Sequence, residues 1–467
     1  MEIEQVLWTA ANNLSGTDIG LVKKCLRYFL KAVGVSLVWW FVVYKFEGLI
    51  RFTIWAVLNP RQFFHWLKLC ILSLRKQYRP AIYAVFCCLV AAGALFCVSY
   101  RMAVSLNVPD FVRHTFFAPT EDFISKTYKV PLSQDISFIN KNNLVVVLAE
   151  SFERSFFDPV ISSGAVRSEL QPLTDPNRQN FNMVNASGST WTIAAATGWH
   201  FGLPLKLPKF VNGNQYQSRR GFLPGAQSVF DILSDNGYET VLVMGSNSVF
   251  SGMRTLFSTH GKFKIMDQDY WVRKGWNLAK YRGTGWGFND KFVLERAAEV
   301  YEELKKGNRP FVIFVETIDT HAKDGWCPTD QKTYQDVRDA FRWTDGNLAN
   351  FVRRVDARAD NNTVLGIVGD HYFMGSPAFL DKTKERKIFN AFWGAVPEVP
   401  ELKQNQRFCA IDMAPTLLQA AGARWSHDQF GLGISLFAKE ETMAQRLGVG
   451  ELNRLMSQES GLYRKFY

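Results

Sequence analysis

Two kinds of apolar pattern divide the chain. In its first hundred residues the apolar stretches are long and rarely interrupted. Beyond residue 140 they are short and alternate with amphipathic segments. Ile82–Tyr100 carries no charge and is long enough to cross a bilayer as a helix. Tyr28–Tyr44 is apolar except for Lys31, whereas Leu49–Leu74 is interrupted by Arg51, Pro60, Arg61 and Lys68. That second stretch reads equally as a span, a re-entrant segment or an interfacial helix. A cleaved signal peptide is not expected, because Glu2 and Glu4 stand where a basic leader would begin. The reading is a helical membrane anchor over residues 1–106 with two to three transmembrane or interfacial helices, then a linker over 107–140.

From residue 141 the period changes. Leu144–Ala149, Thr240–Met244, Pro310–Val315 and Val364–Val368 are short, rich in β-branched residues and bounded by polar or glycine positions. Continuous apolar runs of that length predict strands buried on both faces. Ser228–Asn236, Asp290–Lys306 and Tyr334–Asp356 lie between or beside them with helical spacing. Strands alternating with helices predict an α/β domain over 141–467 built on a largely parallel sheet.

Charge supports this division. The net charge of +11 invites a nucleic-acid reading, but residues 1–106 hold 12 basic and four acidic side chains, a surplus of +8. The remaining +3 is spread over 361 residues, so no polyanion-binding surface and no nucleic-acid partner are expected. Arg75, Lys76 and Arg79 sit immediately before Ile82–Tyr100 and predict a cytoplasmic loop, which sends the following domain to the outer side. Five of the seven cysteines fall in the apolar quarter. Cys327 and Cys409 remain, either as a disulfide or as two unrelated buried thiols.

Candidate chemistry stands just past the strands. Glu150 follows the first, Glu316 and Asp319-Thr320-His321 follow the third, and Gly369-Asp370-His371 ends the fourth. Ligands of open α/β sheets bind beyond the carboxyl ends of the strands, and carboxylates with imidazoles there suit a divalent ion such as Zn or Mn. Taken singly, an Asp-His pair after a strand is more often loop punctuation. The segment Gly188-Ser189-Thr190-Trp191-Thr192-Ile193-Ala194 leads from a polar loop into small helix-compatible residues. Its Thr192 hydroxyl is either an ordinary N-cap or a nucleophile where free N–H groups favour an anion.

The ordered set Glu150-Ser151, Thr192, Asp319-x-His321 and Gly369-Asp370-His371 resembles the alkaline-phosphatase/sulfatase superfamily. Within it the chain is similar to the membrane-anchored branch of lipoteichoic acid synthases and phosphoglycerol or phosphoethanolamine transferases. Gly202-Leu203-Pro204-Leu205, Thr259-His260-Gly261 and Ile411-Asp412-Met413-Ala414-Pro415-Thr416 add to the likeness, which covers roughly residues 140–425. It implies an alkaline-phosphatase-like α/β sandwich and one divalent ion, Mn or Zn, held by Glu150, Thr192, Asp370 and His371. Thr192 would also be the nucleophile. His321 would bind the transferred phosphate or move a proton, and Arg254 lies near the place where related synthases carry a phosphate-binding Arg. Read from position alone, His200 is equally a structural histidine or a substrate contact, and Trp191 could stack on a sugar or glycerol, although core packing is the default for an aromatic residue. The implied reaction passes a lipid head group from a membrane phospholipid to an extracytoplasmic glycan or lipopolysaccharide, in a bacterial inner membrane with the catalytic domain outside. A hydrolase on the same site and a non-catalytic membrane scaffold are the alternatives. The sulfatase nucleophile signature, Cys or Ser followed by x-Pro-x-Arg, is absent around Thr192, which disfavours sulfate-ester hydrolysis.

Overall fold

The computed structural model describes residues 122–467 apart from 207–220, 284, 323–324, 329–335, 356–361 and 376, with scattered helical positions between 92 and 104. The three long apolar stretches therefore lie essentially outside the described residues. Among the described residues no helix is long and apolar enough to cross a membrane.

The core is a six-stranded sheet. Its strands are β1 (Asn143–Ala149), β2 (Glu239–Met244), β3 (Lys264–Met266), β4 (Phe311–Glu316), β5 (Thr363–Gly369) and β6 (Asn390–Gly394). They lie in the order β3-β2-β4-β1-β5-β6. Five strands are parallel and β6 runs antiparallel to β5. Every residue of β1, β4 and β5 is buried, which is why these strands read as unbroken apolar runs rather than as alternation. Leu144, Val146 and Leu148 face one core, and Val145, Val147 and Ala149 face the other.

The helices divide between those two cores. On the first lie α1 (Thr192–Phe201), α2 (Val229–Asp235) and α6 (Met413–Ala420); on the second lie α4 (Asp290–Leu304) and α5 (Val337–Val355). A shorter helix, α3 (Met253–Thr259), follows β2. Helix α1 has no polar face, and nine of its ten residues are buried, as expected of a helix enclosed on all sides. Small residues let it sit deep. A Cβ on Gly198 would stand 3.0 Å from the backbone of Ala410. Gly202 ends α1 at φ +62°, where a Cβ would strike the Phe430 carbonyl oxygen at 2.1 Å; only glycine fits there.

The four expected strands are present within one or two residues of the sequence reading. Two edge strands had no sequence signal: β3 is three residues long, and Asn-Ala-Phe-Trp-Gly of β6 has no β-branched residue. Residues 122–140, expected as part of a linker, pack instead on the domain. Ser137–Phe138 pair with Ala423–Arg424, Lys129 bridges to Gly431, and Ile124 is buried. Cys327 and Cys409 are both free and buried, which settles the open question in favour of separate thiols.

One core position is costly. Lys403 is fully buried, and its Nζ has no hydrogen-bond partner. Burial pulls its pKa down to about 8. Holding the proton in the fold is thus penalised at every pH below that value, and the penalty fades as pH rises toward the unfolded value near ~10.4. Lys403→Met is expected to stabilise the protein by about 2 kcal/mol at pH 7. The gain should shrink progressively above pH 8, as denaturant unfolding at pH 7 and at pH 9.5 will show.

Candidate metal and nucleophile site

The site is built where β1, β4 and β5 end. Glu150 leaves β1, Asp370 and His371 leave β5, and the turn after β4 carries Asp319 and His321. One ligand atom from each of Glu150, Asp370 and His371 lies within 4.8 Å of the others, and all three residues are buried. His371 Nε2 stands 3.3 Å from Asp370 Oδ2 and 3.6 Å from Glu150 Oε1.

Backbone and side-chain hydrogen bonds leave particular atoms over. Asp370 Oδ1 accepts from the N–H groups of Ser151 and His371, both at 2.7 Å, while its Oδ2 has no hydrogen-bond donor. His371 Nδ1 donates to the Tyr372 carbonyl at 2.8 Å. That fixes the tautomer and leaves a lone pair on Nε2, which is also unpartnered. Glu150 is held at both ends of its backbone, its N–H donating to Thr317 Oγ1 at 3.1 Å and its carbonyl accepting from Thr320 Oγ1. Ser151 adopts φ +50°, an uncommon non-glycine conformation of the kind that gathers at functional sites. Unpaired carboxylate and imidazole atoms, buried and aimed at one another, fit a divalent cation.

The electrostatics agree. Burial works against the charge of Glu150, but His371, His321 and hydrogen bonds from Ser151 and Thr192 outweigh it and hold its carboxyl below the usual range. Burial, and then the Glu150 charge, push Asp370 well above it. Burial with Glu150, Asp370 and Asp290 does the same to Glu316, a fully enclosed carboxyl at the end of β4. Several acidic groups compete for one low-dielectric pocket, and a bound cation relieves that competition.

Thr192 is the first residue of α1, and Trp191 occupies the N-cap without a capping side chain. The threonine hydroxyl does not cap the helix. It donates to Glu150 Oε2 at 2.9 Å, which places Oγ1 against the cluster and at the helix end where N–H groups are free. His321 donates from Nδ1 to the Ala322 carbonyl at 2.5 Å, which leaves Nε2 available.

The other expected contacts are placed differently. His200 is fully buried, bonded through Nδ1 to Ser228 Oγ at 3.1 Å and ringed by Phe230, Phe257 and Phe314. Burial drives its pKa well down, so the structure makes it a neutral core side chain rather than a substrate contact. Trp191 is likewise packed into the core, only 3% exposed. Arg254 is engaged by Ser248 Oγ at 2.9 Å and Asp267 Oδ2 at 2.6 Å.

Two supports had no distinct sequence signal. Asp290 opens α4, where an acidic residue is ordinary helix-end chemistry. Yet its Oδ1 accepts from the N–H groups of Ile318 at 2.6 Å and Asp319 at 3.1 Å, and its Oδ2 from Thr344 at 2.8 Å. Asp319 Oδ2 returns the contact to the Asp290 N–H at 2.8 Å. This reciprocal pair fixes the turn that carries His321. Glu153, fully buried, takes both arms of Arg386 and the Phe373 N–H, while Arg386 Nη2 also donates to the Phe373 carbonyl. That clamp ties the segment after β1 to the one after His371.

Comparison with known proteins accords with this arrangement. The sulfatase family model matches residues 142–423, and the chain belongs to that family, within the alkaline-phosphatase/sulfatase superfamily. Phosphoglycerol transferase I of Xanthomonas campestris pv. campestris is 27% identical over 454 residues, covering 93% of this chain and 60% of that protein. Phosphoglycerol transferase I of Escherichia fergusonii is 26% identical over 470 residues, covering 94% and 55%. The chain thus spans somewhat over half the length of these curated relatives. The lipoteichoic acid synthase LtaP of Listeria monocytogenes has the same fold, with a TM-score of 0.50 at 15% identity over 70% of this chain and 81% of that one.

Removing Arg386 strands the Glu153 carboxylate in the interior. Arg386→Ala should cost about 3 kcal/mol and weaken Mn or Zn binding. Arg386→Lys should recover little, because an ammonium cannot make the two-armed contact. Thermal melts and metal titration check both statements.

Proposed function

We propose that the protein is a membrane-anchored, metal-dependent transferase that moves a phosphoglycerol or phosphoethanolamine head group from a phospholipid to an extracytoplasmic glycan. The observation that carries this reading is the Thr192 hydroxyl, set at the start of a buried helix and hydrogen-bonded to Glu150 beside the Asp370–His371 pair. The likeness to phosphoglycerol transferases and the absence of the sulfatase nucleophile signature point the same way.

Glu150, Asp370 and His371, with Thr192, are the residues that hold the ion. A divalent cation there supplies Lewis-acid stabilisation of negative charge at the Thr192 oxygen and at the phosphoryl oxygens. The remaining chemistry belongs to the side chains. Thr192 Oγ1, its proton already directed to Glu150, attacks the phosphodiester. A Thr192–phosphorus bond forms as the bond to the diacylglycerol oxygen breaks, and that oxygen takes a proton from Nε2 of His321 in its imidazolium form. The free N–H groups at the start of α1 face the anionic group. In the second displacement an acceptor hydroxyl attacks the phospho-threonine and gives its proton to His321, while Thr192 Oγ1 leaves and takes back the proton that Glu150 received in the first step. Two in-line steps return the enzyme to its starting state. The apolar N-terminal segments confine the enzyme to the surface that carries its donor, which raises the donor's effective concentration.

The decisive experiment supplies head-group-labelled phosphatidylglycerol or phosphatidylethanolamine with Mn or Zn to the purified full chain. Diacylglycerol release is expected, and Thr192→Ala should reduce it by about 10³-fold or more. Turnover that survives Thr192→Ala overturns the mechanism, and label found only in water makes the protein a hydrolase. Chelation should abolish turnover and lower the melting temperature by several degrees, as expected when a ligand that binds only the folded state is removed. Asp370→Asn should remove most of the chelator-sensitive part of that melting temperature.

A further inference from the structure

A line of aromatic rings leads away from His321. The Trp286 ring lies 5.1 Å from the His321 ring at an interplanar angle of 52°. Phe250 lies 4.8 Å beyond, tilted 47° to Trp286. Both side chains are half-buried, so each offers part of a ring to solvent while the rest is gripped. The grip is rigid. Gly283 N–H donates to the Gly287 carbonyl at 2.9 Å, and Phe288 N–H donates to the Gly245 carbonyl at 3.0 Å. Ser246 and Gly287 form an isolated antiparallel bridge, and a Cβ on Gly287 would stand 2.0 Å from the Gly245 carbonyl oxygen. Phe250 is set by an equally constrained bend, with Ser251 at φ +55° and Gly252 at φ +85°.

Polar side chains stand close to Phe250 in sequence. Asn247 precedes Phe250 by three residues, and its amide faces Asp269 at 3.3 Å. Arg254, four residues after Phe250, reaches both Asp267 and Asp269. Tilted, half-buried rings on segments that also carry amide and guanidinium side chains do not make a continuous apolar wall for acyl chains. They match a ligand with weakly apolar C–H faces and a rim of hydroxyls, which is a sugar ring. The position beside His321 is where the second displacement needs its attacking hydroxyl.

We propose that Phe250 and Trp286 form the platform that holds a sugar ring of the acceptor glycan against His321. This rests on the transferase reading above and adds the residues that select the acceptor. Phe250 and Trp286 are positioning residues and do not touch the reacting phosphorus.

The test uses the full chain with Mn, labelled phosphatidylglycerol vesicles and a soluble glucose oligosaccharide as acceptor. Trp286→Ala should raise the oligosaccharide KM about tenfold, the scale of one lost aromatic contact. Trp286→Phe should recover most of that loss, and Phe250→Ala should give a smaller rise of the same kind. Leu402→Ala, an exposed position on a separate short helix, controls for loss of surface apolar area and should leave KM unchanged. Direct titration of the oligosaccharide into Thr192→Ala protein should show the same ordering, with circular dichroism confirming that each variant is folded. A loss confined to kcat, or equal loss with Ala and Phe at 286, overturns the platform. So does a rise in the KM for phosphatidylglycerol in place of the oligosaccharide, which would mark a lipid site. Failure of the wild-type protein to release diacylglycerol refutes the transferase reading itself. Release and transfer with an acceptor KM indifferent to both ring positions refutes only this inference.

Discussion

Burying several carboxyl groups at one end of a parallel sheet is the constraint on which the rest of this structure depends. Glu150, Asp370 and Glu316 end three neighbouring strands, and all are removed from water. Asp290 stands close enough for its charge to raise the pKa of Glu316. Placed together in a low-dielectric interior, such charges repel one another and lose hydration. The structure meets this in three ways: histidines beside Glu150, N–H groups converging on Asp370 and Asp290, and a geometry that fits a cation. The first two are complete within the protein. The third leaves unpaired Asp370 Oδ2 and His371 Nε2 facing one another, which in a sealed interior is unfavourable without an ion.

The same constraint explains the asymmetry of the two cores. On the Thr192 side the sheet is covered by a helix without a polar face, whose glycines let it abut the backbone of Ala410 and Phe430 closely. Close approach is what brings the first residue of α1 over Glu150. A helix with a bulky inner face would stand farther off, and the threonine hydroxyl would be left to cap its own helix. On the other side α4 and α5 are conventional amphipathic helices. Their contribution to the site is indirect, through Asp290 and Thr344, which fix the turn carrying His321.

How much of this was legible in the sequence follows from where each signal resides. The four central strands were legible because burial on both faces leaves a continuous apolar run, and the residues after them were legible because strand ends are where polar groups reappear. Glu150, His321, Asp370 and His371 were found that way, and Thr192 from the polar loop that leads into a run of small helix-compatible residues. The supports were not. Asp290 has the same local appearance as any helix-opening acid, and its role depends on partners 28 and 54 residues away. Glu153 and Arg386 are separated by 233 residues, and no local pattern announces such a pair. His200 was open between a structural histidine and a substrate contact. Proximity in sequence to Thr192 suggested a substrate contact, but eight residues along a helix is about two turns, which carries the side chain down into the core.

The distance between Thr192 and His200 also shows why one helix can serve both reactivity and stability. Its first turn, with unpaired N–H groups and a single hydroxyl, is the reactive end. Its last turn lies in a phenylalanine-lined interior and ends on Gly202 in a conformation that no other residue fits without displacing the Phe430 carbonyl. Rotating or shifting α1 to adjust Thr192 would drive that end into the backbone it abuts. The nucleophile is therefore positioned by packing some ten residues away, and the precision of its contact with Glu150 depends on glycines that never approach the reaction. Preorganisation of this kind puts the chemistry on a helix and on strand ends whose geometry is fixed by packing.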